Sequence, residues 1–190
     1  GVGDMSYRFE RIAAPTMAIY VKPLEPQSDA LYEKGAAAVF VSIRRNPVEA
    51  LNPAMKASNL LNNALAAREA YAKGAFEALL LNTRGEVAEA AGSNVFMVKD
   101  GLLLTPPLSA GILEGITRGI TLEIAAKTGA PCEERVLYPE DLRTADEAFL
   151  TSSLKEIAPV TTLDGATVGD GRPGPVTRAL LAAYRARIAR

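Results

Sequence analysis

The sequence predicts an α+β domain. Three observations carry this. Short apolar segments separated by Gly-, Asn- and Asp-containing turns fill residues 76–105, which is the pattern of antiparallel strands. Three longer stretches rich in Ala, Leu, Arg and Glu, near residues 54–73, 117–127 and 175–190, have helical composition and helical stops. Strands and helices are mixed along the chain rather than alternating strictly, which argues against a purely parallel α/β sheet.

In chain order, Ala14 to Lys22 is apolar and reads as a strand. Ser28 to Lys34 reads as a short helix closed by Gly35, and Ala36 to Ile43 as a second strand carrying Val39, Phe40, Val41 and Ile43. Pro53 precedes a helix predicted over Ala54 to Lys73, with Gly74 at the position where a left-handed cap suits glycine. Phe76 to Asn82, Glu86 to Ala91, Asn94 to Lys99 and Leu102 to Thr105 form a predicted antiparallel meander, with turns at Thr83-Arg84-Gly85, Gly92-Ser93 and Asp100-Gly101. A helix opens at Gly115 and Thr117 and runs to about Lys127 before Gly129. A strand near Cys132 to Leu137, a helical turn at Pro139 to Leu142, strands at Ala148 to Ser152 and Pro159 to Leu163, a hairpin turn at Asp164-Gly165 and a final helix from Pro175 to Arg190 complete the reading.

At 190 residues, with 48% of them apolar, the chain is the right size for one domain with a single core. Its 21 basic and 22 acidic residues are scattered, so no basic stripe points to nucleic acid or to an anionic membrane. No apolar run is long enough to span a membrane and the N-terminus has no signal-peptide pattern, so a cytoplasmic protein with a small-molecule partner is expected. One cysteine, Cys132, excludes an internal disulfide framework and reads as a buried strand thiol. The absence of histidine removes Ser-His-Asp triads, Cys-His dyads and histidine metal sites, leaving lysine, carboxylates, hydroxyls or a cofactor to carry any chemistry.

A Gly-x-Gly-x-x-Gly pattern at Gly169, Gly171 and Gly174 is read as a turn into the last helix. Pro173 interrupts it, and neither a following parallel strand nor an acidic ribose partner is present. Lys56 stands at the predicted entry of the long helix, where a lysine is either a solvated helix residue or a nucleophile in a desolvated pocket. Glu89 lies among small residues between two strands, either as an exposed strand carboxylate or as a buried charge that demands a cationic partner. Gly115-Ile116-Thr117-Arg118 opens a helix whose free N–H groups suit a phosphate, and Thr151-Ser152-Ser153 offers hydroxyls that either join that site or cap a turn.

Taken together and in order, these stretches resemble the fold-type IV pyridoxal-phosphate enzymes. That class IV aminotransferase family includes branched-chain aminotransferases, D-amino-acid aminotransferases and aminodeoxychorismate lyases. The resemblance runs through Lys56-Ala57-Ser58-Asn59-Leu60-Leu61, Leu80-Leu81-Asn82 with Gly85, and Glu89 with Asn94-Val95-Phe96. It continues in Thr105-Pro106-Pro107, Gly115-Ile116-Thr117-Arg118, Ala145-Asp146-Glu147 and Glu156-Ile157-Ala158-Pro159-Val160. It implies the cofactor-binding large domain of the D-amino-acid-aminotransferase-like fold, an antiparallel-rich sheet or pseudo-barrel with flanking helices. It also implies pyridoxal 5'-phosphate as cofactor, with Lys56 as the Schiff-base lysine that moves the substrate proton. Glu89 would pair with the ring nitrogen, Leu113 pack on the ring, and Ile116, Thr117 and Ser153 hold the phosphate. Ser153 and Leu154 would meet the substrate, and no metal is implied.

The activity implied is ping-pong transfer of an amino group between an amino acid and a 2-oxo acid in a homodimer, with branched-chain substrates slightly favoured. Leu60 and Leu61 stand where branched-chain enzymes commonly carry a tyrosine, which resembles the D-amino-acid and lyase branches instead. The tail around Gly169 to Thr177 resembles the branched-chain group. Nothing here resembles the family's small N-terminal domain, so this stretch alone is expected to bind cofactor poorly and turn over little.

Overall fold

A computed structural model describes residues 2–3, 7–14 and 16–189. Among the described residues, five α-helices surround one large sheet. The strands are β1 (Val2–Gly3), β2 (Ile12–Ala14), β3 (Ala36–Phe40), β4 (Glu77–Leu81), β5 (Val87–Ala90), β6 (Asn94–Lys99), β7 (Leu102–Thr105), β8 (Cys132–Glu134), β9 (Glu147–Ser152), β10 (Glu156–Leu163) and β11 (Ala166–Thr167). The helices are α1 (Asp29–Lys34), α2 (Leu61–Ala72), α3 (Ile116–Thr128), α4 (Pro139–Arg143) and α5 (Pro175–Ile188). β1 and β2 pair with each other, and the rest form a nine-stranded sheet in the order β5-β4-β3-β10-β9-β6-β7-β8, with β11 on β10.

The expected α+β class holds, with a change in connectivity. β4–β5 and β6–β7 are antiparallel hairpins, but β5 and β6 do not pair, so the chain does not form one continuous meander; β6 pairs with β9 instead. Three pairs are parallel, β3–β4, β7–β8 and β3–β10, with α2 carrying the chain from β3 to β4 and α3 from β7 to β8. A parallel pair requires such a connection because its ends lie at opposite edges.

The sheet has to curl. Five steps along the strand order separate β5 from β6, about 24 Å if flat at the usual strand spacing. Residues 91–93 join them, and the Ala90 N–H already donates to the Ser93 carbonyl at 2.8 Å. Four peptide steps reach at most about 14 Å. The sheet therefore bends round on itself as the pseudo-barrel expected from the resemblance, and the short link at 91–93 sits where its β5 edge approaches β6.

Three layers of packing hold it. Inside the curl, Leu79, Leu104, Leu137, Leu150 and Val160 are buried together. On one outer face Phe96 and Phe149 stack at 5.0 Å beneath Ile124 of α3 and Leu180 and Tyr184 of α5. On another, Ala66 and Ala70 of α2 lie against Val41, Ala78 and Leu80, small residues that let helix and sheet approach closely.

Two element expectations fail. The strand expected at Ala14 to Lys22 survives only at Ala14, the end of β2. Residues 16–22 are irregular and lie outside every sheet, with Met17, Ile19, Tyr20 and Val21 exposed. Apolar extended character makes a strand only where a partner edge exists. The helix expected from Ala54 begins at Leu61, because Met55 N–H donates to Asn52 O, Ala57 N–H to Met55 O and Leu60 N–H to Ser58 O, tight turns incompatible with α-helical bonding.

The glycine pattern near the C-terminus is structural. A side chain at Gly174 would overlap the Glu147 carboxylate, and one at Gly169, whose φ is +55°, would overlap the Asp146 carbonyl. Glu147 accepts from Val176 N at 3.0 Å, Thr177 N at 2.8 Å and Thr177 Oγ1 at 2.7 Å. The anion position at the start of α5 is thus filled by the protein's own carboxylate.

Candidate active site

One cavity of about 310 Å3 collects the expected residues: Lys56, Glu89, Leu113, Ile116, Thr117 and Ser153 all line it. That volume lies at the lower end of small-molecule sites, roughly 300–1,000 Å3. Leu154 stands on the same β9–β10 turn but is 66% exposed and outside the lining.

Lys56 is exposed on the loop before α2, not on the helix itself. Its loop is anchored by the buried Pro53 and by Asn52, whose side-chain oxygen accepts from Ala54 N at 3.0 Å. Glu89 lies on β5 and is buried, 4% exposed, so the buried reading is the correct one. Its cationic partner within the chain is Arg45, whose Nε donates to Glu89 Oε1 at 2.8 Å. Oε2 accepts from Leu113 N at 3.0 Å and from Asn94 Nδ2 at 3.3 Å. An ionised carboxylate accepts about four hydrogen bonds; three are used here, which leaves capacity for one donor from the cavity.

Burial pushes the Glu89 carboxyl up to about 7, against the lowering effects of Arg45, the Leu113 N–H and the Lys56 charge. A carboxyl raised above its ordinary 4.5 stabilises the fold when protonated. That contribution is complete below pH 4.5 and lost as the pH rises through 7. Denaturation profiles should therefore show on the order of 3 kcal/mol of stability lost over that window, and Glu89→Gln should flatten the slope. An unchanged slope in the variant would assign the pH dependence to other groups.

The start of α3 forms the opposite wall. Gly115 precedes it with no side-chain cap, leaving the first N–H groups of the helix free. A side chain at Gly115 would overlap the Asn94 amide, which donates to Leu113 O at 2.8 Å. Asn94 thus fixes both Glu89 and the approach to α3. Ile116 is 77% exposed at the rim, whereas Thr117 is buried with its hydroxyl 3.5 Å from that of Tyr184. Thr151 Oγ1 is buried in the lining and has no hydrogen-bond partner among the described residues. A buried orphan hydroxyl beside an uncapped helix start fits an anion acceptor in the cavity.

The arrangement fits pyridoxal 5'-phosphate by its chemistry: an amine at Lys56, a buried carboxylate with one acceptor site open, an apolar side chain at Leu113, and an anion site between α3 and the β9–β10 turn. Arg45 and Asn94 were not assigned to the site from sequence, and for Thr151 the sequence left open whether its hydroxyl joins the anion site or caps a turn. A buried Glu89 required a cation, and Arg44-Arg45 directly after β3 was the available signal, but the 44-residue separation hid the pairing.

The model of the family described as amino-transferase class IV matches residues 3–163. The chain belongs to the class IV aminotransferase family. A putative branched-chain-amino-acid aminotransferase of Methanocaldococcus jannaschii is 41% identical to this class IV chain over 180 residues, covering 95% of it and 62% of the relative. The Escherichia coli branched-chain-amino-acid aminotransferase is 40% identical over 153 residues, covering 80% and 50%. The crystal structure of the E. coli branched-chain enzyme superposes with a TM-score of 0.82 at 38% identity, over 84% of this chain and 53% of that one. The pyridoxal-phosphate form of the Thermobaculum terrenum branched-chain enzyme gives 0.82 at 39%, over 86% and 54%. The class IV chain thus spans about half to three-fifths of the length of the relatives it matches.

Proposed function

We propose that this chain is the cofactor-binding domain of an aminotransferase that moves an amino group between a branched-chain amino acid and a 2-oxo acid, using pyridoxal 5'-phosphate. The observation that carries the reading is the convergence of Lys56, Glu89, Leu113, the α3 start and the 151–153 turn on one cavity. The branched-chain preference rests on relatives of about 40% identity that bear that name.

When bound, the cofactor supplies an electron sink for negative charge at the substrate α carbon. The protein's own groups do the rest. Lys56 Nζ would hold the cofactor and would carry the proton to and from the substrate α carbon. The Glu89 carboxylate, with one acceptor position still open, would keep the ring nitrogen protonated, and Arg45 and Asn94 keep Glu89 in place. The free N–H groups of Ile116 and Thr117, with Ser153, would hold the phosphate, Leu113 would pack on the ring, and Ser153 would also meet the substrate, whereas the exposed Leu154 lies outside the cavity lining.

A homodimer in the cytoplasm is part of the proposal. The exposed apolar residues Met17, Ile19, Tyr20 and Val21 support a surface that another chain covers.

Initial rates of the full-length protein, with L-leucine, L-isoleucine or L-valine against 2-oxoglutarate, should give parallel double-reciprocal lines. Activity with D-alanine should be at least about tenfold lower, the discrimination expected of a shaped apolar pocket. Preference for the D-amino acid, or pyruvate release from aminodeoxychorismate with no 2-oxo acid present, would replace this substrate assignment.

A further inference from the structure

The β9–β10 turn carries Ser152 and Ser153 into the cavity lining, and it is built against backbone preference. Glu156, the first residue of β10, has φ of 51°, a left-handed conformation that a glutamate holds only when its surroundings impose it. Two ion pairs bracket the turn. Outward, Glu156 Oε2 accepts from Arg185 of α5, from Nε at 2.8 Å and Nη2 at 2.5 Å. Inward, Lys155 Nζ donates to Glu77 Oε2 at 2.5 Å and to Ser93 Oγ at 3.3 Å. The Ser93 hydroxyl also donates to that Glu77 oxygen at 3.3 Å.

Glu77 is buried at the start of β4, so its charge depends on Lys155. Gly92 and Ser93 line the cavity, and Gly92 passes close enough that a side chain there would reach within 3.5 Å of Lys155 Nζ. The Lys155 backbone is held as well: its N–H donates to Ser152 Oγ at 3.1 Å and its carbonyl accepts from the Tyr32 hydroxyl at 3.4 Å. One side chain therefore joins two cavity-lining turns from behind, 91–93 and 152–155.

We propose that Lys155 is a positioning residue: its ion pair with Glu77 fixes the 152–155 turn against the 91–93 link, and so sets the Ser153 hydroxyl for the phosphate held opposite the start of α3. Lys155 acts through the turn and does not meet the ligand. The inference rests on the cofactor site proposed above.

The test measures binding of pyridoxal 5'-phosphate and of pyridoxal, which lacks the phosphate, to the full-length protein. Lys155→Met should raise the dissociation constant for the phosphorylated form by about tenfold, in line with the cost of ångström-scale misplacement, and leave that for pyridoxal within about twofold. Lys155→Arg should restore most of the loss. Because Lys155→Met strands a buried carboxylate, the double variant Lys155→Met with Glu77→Gln removes that charge and should show the same phosphate-selective loss in a folded protein. Equal losses for both ligands, or no loss, would overturn the positioning role. An unaltered protein that binds neither ligand would instead overturn the cofactor reading, and this inference with it.

Discussion

Replacing Lys56 with alanine in the full-length protein is expected to reduce amino transfer by a factor on the order of 10^4 or more, the scale seen when a covalent nucleophile is removed. Folding stability should change by less than about 0.5 kcal/mol, because the side chain is exposed on a loop outside the core. Lys56→Arg separates charge from chemistry. The guanidinium keeps a positive charge near Glu89 but has no neutral amine to offer, so this variant should be as inactive as alanine. Steady-state rates and chemical denaturation of the three proteins check both halves. Activity retained within tenfold in either variant would remove Lys56 from the chemistry.

Arg45→Met is expected to produce the largest loss of stability, about 3–5 kcal/mol at pH 8, because the buried Glu89 must then either stay ionised without its partner or take up a proton against the pH. Arg45 has a second role: its Nη1 donates to Asn62 Oδ1 at 3.0 Å and Asn63 Oδ1 at 3.2 Å, which ties the first turn of α2 to the site. The loop bearing Lys56 leads into that turn. Combining Arg45→Met with Glu89→Gln should recover more than half of the loss by removing the stranded charge, leaving the part due to Asn62 and Asn63. Urea denaturation of the two single variants and the double variant measures this. Additive losses would show that the two side chains are not energetically coupled.

Local features of the fold were legible because local chemistry decides them. Gly129 ends α3 in the left-handed conformation, β7 spans Leu102–Thr105 as read, and Asp164-Gly165 turns β10 into β11. Pairing was not legible. Gly92-Ser93 marks a turn but does not say that β6 leaves β5 to join β9, a choice made by the curl of the whole sheet. Residues 16–22 have strand composition and no partner edge among the described residues.

The same division holds in the site. The start of α3 suited an anion by its own residues, and the hydroxyl run at 151–153 was legible as a candidate for the same site or for a turn cap. Lys56 did not announce a nucleophile, since its environment is assembled from β5, the 91–93 link and the start of α3. Its reading came from the resemblance, and the family match supports that resemblance. Lys155 and Glu77, 78 residues apart, could be joined only in three dimensions.

The central claim is that Lys56 carries the cofactor. The most direct measurement adds pyridoxal 5'-phosphate to the full-length protein, reduces with borohydride and maps the product by peptide mass spectrometry. The account predicts a reduced pyridoxyl group on Lys56 and on no other lysine, with Lys56→Ala unlabelled. Labelling at another lysine, or none at all, would contradict it.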